Sequence, residues 1–123
     1  MSSRAIDREA LIHESLARYQ PTKIPNERWQ QISEDVQQIV TDIAVNRLVT
    51  FSDYPTRREL RDVALHVAYF LDYCLDTFGD QYADRYLYFD NDTIALFSHF
   101  MLTKFSKVYV RVAVVCIRAV AVW

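Results

Sequence analysis

Residues 104–118 read KFSKVYVRVAVVCIR, and whether this stretch is strand or helix decides the fold class. Composition favours a strand, because Val, Ile and Tyr suit the pleated, half-buried surface of a sheet. The charges point the other way. Lys104, Lys107, Arg111 and Arg118 follow one another at spacings of 3, 4 and 7, which gathers all four cations on one narrow stripe of a helix turning ~100° per residue. On a strand, Lys104 and Arg118 would face away from Lys107 and Arg111. Nearly every other position from Phe97 to Trp123 is apolar, so the pattern predicts a long, mostly buried C-terminal helix with one polar edge.

Working back along the chain, helical spacing recurs. Thr56-Arg57-Arg58-Glu59 has the form of a capping box, in which hydroxyl and carboxylate each satisfy an orphan backbone N–H, and Gly79 supplies a stop. Between them Leu60, Ala64, Val67, Leu71, Cys74 and Phe78 alternate at spacings of 4 and 3, the seam of a bundle helix. Asp62, His66, Tyr69, Asp72, Tyr73 and Asp76 fall on the opposite edge. A further helix is expected from about Asn26, its N-cap, to Arg47, with Trp29, Ile32, Val36, Ile39 and Ile43 as its stripe. Another is expected over residues 4–19. Pro21 and Pro25 bracket a connector, and Pro55 marks a second break. The segment DQYADRYLYFDND, residues 80–92, is expected as a loop with one helical turn, Asp90 or Asp92 capping the last helix. The expected architecture is a single all-α domain over residues 1–123, a bundle of four to five helices.

Composition removes several functional classes. With 51% hydrophobic residues and 17 aromatics among 123 residues, the chain has enough apolar surface to offset its conformational entropy and fold. One glycine cannot build the loops that cradle dinucleotides or triphosphates. Cys74 and Cys116 lie in apolar segments with no CxxC and no zinc spacing, which predicts buried thiols in a reducing compartment. The start, MSSRAIDREALIHE, has acids by its seventh residue and no apolar core, unlike a secretory signal. The four tail cations interrupt any approach to the ~20 apolar residues of a membrane span. A soluble cytoplasmic protein is expected.

The formal net charge of −2 conceals a polarity. Residues 1–71 sum to −1, residues 72–92 to −5, and residues 93–123 to +4, with no acid in that last block. Separated blocks of this kind present local fields to a charged partner.

Three surfaces are candidates for binding. The stripe of Lys104, Lys107 and Arg111 can meet an acidic partner or nucleic acid, or can be a solvated edge paired with the aspartates of the preceding helix. Arg57, Arg58 and Arg61 occupy a first helical turn, where the dipole disfavours cations; they can form an anion site with the helix amides, or be neutralised by Asp53, Glu59 and Asp62. Tyr82, Tyr86, Tyr88 and Phe89, interleaved with Asp84 and its neighbouring aspartates, have the rigid amphipathic character of interface aromatics, or can close one end of the bundle. The terminal AVAVW carries no polar cap, so Trp123 must be covered by the fold or a partner.

No catalytic or metal constellation emerges. Glu9/His13 and Asp62/His66 are acid–histidine pairs at i, i+4, but bundle metal sites use Glu-x-x-His with further glutamates. DNDT at 90–93 lacks the glycine and twelfth-position glutamate of a calcium loop. Ser98 and His99 are adjacent and diverge on a helix, and no nucleophile elbow exists. No cofactor is expected. The sequence therefore predicts a non-enzymatic interaction or regulatory protein, acting on a protein partner or on itself as a homo-oligomer. The alternative is a small nucleic-acid-associated protein using Arg57, Arg58, Arg61 and the tail cations.

Overall fold

The computed structural model describes Pro21, residues 23–51 and residues 57–122. Every regular element among them is helical: α1 (Asn26–Phe51), α2 (Arg57–Phe78), a 3₁₀ segment (Gly79–Tyr88), α3 (Asn91–Leu102) and α4 (Lys107–Val122). No strand occurs among the described residues, and no helix there is long and apolar enough to cross a membrane. The chain is all-α. The helix expected at 4–19 and the cap expected at Thr56 lie outside the described residues. Contacts cluster into two compact units, Met1–Leu65 and His66–Trp123, with the boundary inside α2.

In the first unit the Pro25 carbonyl accepts the opening helical bond from the Trp29 N–H at 2.9 Å. That places the cap on Pro25, one residue before the expected Asn26, and leaves Glu27 in the first turn, where the helix dipole favours an acid. Trp29, Ile32, Val36, Ile39, Val40 and Ala44 are buried along one face of α1, and Leu60 and Ala64 along the first turns of α2.

In the second unit Val67, Phe70, Leu71 and Cys74 of α2 are buried, and the helix stops where the heptad pattern ends. Gly79 takes φ +55°, a left-handed conformation, and an added Cβ would meet nothing within 4 Å. The glycine is there for its backbone freedom rather than for space. The following 3₁₀ segment consists of two short turns joined at Asp84, whose φ −98°, ψ 47° is not helical. It carries more regular structure than the loop expected there. Asp90 then caps α3, its carboxylate accepting the Thr93 N–H at 2.7 Å.

The long, mostly buried final helix is corrected. It is two helices, because two short hydroxyl side chains compete for the backbone between them. Thr103 donates its hydroxyl to the Phe100 carbonyl at 2.7 Å. Ser106 accepts the Tyr109 N–H at 3.3 Å on its hydroxyl and the Val110 N–H at 3.1 Å on its carbonyl, which caps α4. α4 spans only 16 residues. Val110, Ala113, Ile117 and Val120 form its buried face, while Val108, Val112 and Val115 are 72%, 49% and 64% exposed.

α3 and α4 pack against each other, and a ladder of rings ties α2 to α3. Phe89 lies 4.9 Å from Phe70, Phe70 meets Phe97 edge-on at 5.3 Å, Phe97 meets Tyr73 at 5.5 Å, and Tyr73 meets Phe100 at 5.1 Å. Offset and edge-on pairs of this kind add ~1 kcal/mol each beyond area burial. His66, expected on the polar edge of its helix, is instead buried and meets the Tyr109 ring edge-on at 5.4 Å.

Candidate interaction surface

Where α3 and α4 lie side by side they leave an open groove of about 400 Å³. Ser98 and Leu102 line it from α3, Val110, Val114 and Val115 from α4. The exposed Lys107, Arg111 and Arg118 complete its wall, and no acidic residue is among the lining side chains. The chemistry follows from spacing on one helix. At ~100° per residue the three cations share a stripe, and Val108, Val112 and Val115 share another roughly a quarter-turn away, with Val115 also lining the groove. α4 therefore has two apolar faces, one buried in the unit and one open, with cations along the margin.

Lys104 is separated from this arrangement. It sits in the turn after α3, its ammonium 4.6 Å from the Phe100 ring centroid, so the four-cation stripe reduces to three on α4 and one held by cation–π attraction. Arg58 and Arg61 are exposed on the first turns of α2, beside the exposed Glu59 and Asp62; the Arg57 side chain lies outside the described residues. The acidic aromatic segment divides in two. Tyr88 and Phe89 are buried: Tyr88 stacks on Phe78 at 4.5 Å, and Phe89 packs on Phe70. Asp84 is exposed and Tyr82 half-buried, while the Tyr86 side chain and Trp123 lie outside the described residues. Sequence reasoning passed over Leu87, which is 70% exposed between the buried Tyr88 and the kink at Asp84. Its signal was available: the one leucine among the tyrosines and aspartates of residues 80–92.

Burial, reinforced by the Asp90 carboxylate, pushes the Cys74 thiol from its ordinary 9.0 up to about 12, so it stays protonated and unreactive. Burial also raises the Tyr88 hydroxyl above the ordinary tyrosine value, with Cys74 and Asp84 adding to the effect. Neither cysteine is in a disulfide. Among the described residues no group of three His, Cys, Asp or Glu side chains is arranged to hold a metal ion.

Comparison with known proteins yields no match to a family model, a curated protein or a solved structure.

Proposed function

We propose that the protein is a non-enzymatic interaction or regulatory protein of the cytoplasm, working through a helical-bundle surface and associating with itself. The observation that carries this reading is the open face of α4, where three exposed valines run beside a groove walled by three cations. Contiguous apolar surface rimmed by charge is characteristic of protein interfaces, whereas single exposed apolar residues are not. The test is molar mass by light scattering across concentration. The chain should exceed its single-chain mass of 14.5 kDa at ~100 µM, a range in which contacts of micromolar affinity fill. Val112→Asp and Val115→Asp, both at exposed positions, should restore the single-chain mass with helicity unchanged. A wild-type mass of 14.5 kDa throughout would remove self-association from the reading.

The second reading, nucleic-acid association, is supported by the exposed Arg58, Arg61, Lys104, Lys107 and Arg111. Binding through about four phosphates should weaken with salt at a log–log slope near −3 to −4, so absence of RNA or DNA binding at ~50 mM salt rejects it.

A further inference from the structure

We infer that the α3–α4 groove receives the acidic segment of a second copy of this chain, residues 80–92, with Leu87 as its apolar anchor. The inference rests on the self-association proposed above and specifies its surfaces. The groove sets two requirements. Lys107, Arg111 and Arg118 wall it with no acid among the lining residues, and no acid follows Asp92 in the sequence. Its occupant must therefore bring negative charge, because cations desolvated against a neutral apolar partner would lose hydration without compensation. Its valine and leucine lining also requires an apolar contact. The same unit carries a segment meeting both requirements: Asp80, Asp84, Asp90 and Asp92 are exposed around Leu87, and with Arg85 residues 80–92 sum to −3.

A polyanionic partner, such as an anionic lipid surface or a nucleic acid, would satisfy the groove but would be repelled by those aspartates in the same unit. A second copy converts that repulsion into attraction. Because each chain holds both this groove and this acidic segment, a two-fold pair can make the contact twice, with each copy both donor and acceptor.

The experiment uses two charge-reversed full-length chains. One carries Asp80→Lys and Asp84→Lys, the other Lys107→Glu and Arg111→Glu, all at exposed positions, so helicity by circular dichroism should match wild type. Each variant alone should show the single-chain mass where wild type shows a larger one. Mixed in equal amounts, they should regain the larger mass, because every groove again faces a segment of opposite charge. Leu87→Ser should weaken wild-type association at least tenfold without reversing any charge. Wild-type association that persists in both variants, or a mixture that stays at single-chain mass, overturns these surfaces and leaves self-association standing. A wild-type chain that is monomeric at every concentration overturns both. If that monomer co-sediments with phosphatidylserine vesicles, the groove serves a lipid surface instead.

Discussion

Single residues set the ends of the 3₁₀ connection inside the second unit. Gly79 has positive φ and open space around its absent Cβ, so Gly79→Ala should cost ~1 kcal/mol through backbone strain alone, and Gly79→Asn less, by urea denaturation. Asp90 holds the opposite end of the connection by capping α3. The stop at Gly79 was legible in the sequence and the cap was narrowed to Asp90 or Asp92, because caps and stops depend on a residue's own chemistry and its immediate neighbours. The environment of Cys74 was legible only as burial. Its thiol, raised to about 12, favours the fold while both states are neutral, and this contribution is lost as pH rises from about 9 toward 12, where the unfolded thiol ionises first. The slope is about 1.4 kcal/mol per pH unit. Unfolding free energies of wild type and Cys74→Ala should therefore converge between pH 8 and pH 11; parallel curves would contradict the assignment.

Helices α1 and α2 were readable because each presents one apolar stripe, and the buried residues Ile32, Val36 and Ile39, or Leu71 and Cys74, fall where the spacing puts them. The last two helices were not separable from periodicity alone. Three of the four cations lie on α4 and Lys104 lies in the turn itself, so their spacing of 3 and 4 reports the turn of α4 and carries no sign of where the preceding helix ends. Local capping chemistry carried the missing signal, since Thr103 and Ser106 each bond the backbone. His66 was misread for a related reason: an apolar seam shows which face is buried, but not how wide that face becomes when another helix brings Tyr109 against it. The ring ladder gives its own prediction. Phe97 is buried and contacts both Phe70 and Tyr73, so Phe97→Ala should destabilise the fold by ~3–5 kcal/mol and collapse the near-UV dichroism that coupled rings generate.

At the scale of the molecule, the charge blocks gain a physical meaning from exposure. The aspartates around Leu87 and the cations of the groove are both exposed, so the average of −2 says little about the field a partner meets. Association through them should be salt-sensitive: moving from ~0.05 to ~1 M salt shortens the screening length to about 3 Å and should raise the dissociation constant on the order of tenfold, measured by sedimentation equilibrium. α4 holds a further consequence. Seven of its sixteen residues are valine, and β-branched side chains are poor helix formers, so its helicity comes from packing against α3 and the rest of its unit. Released from that support, the same residues alternate as a strand, with Val108, Val110, Val112 and Val114 on one side. A peptide of residues 107–117 should assemble into cross-β fibres with the 4.7–4.8 Å repeat in X-ray diffraction. The loss of one helix–helix contact would thus turn a helix of this protein into a template for amyloid.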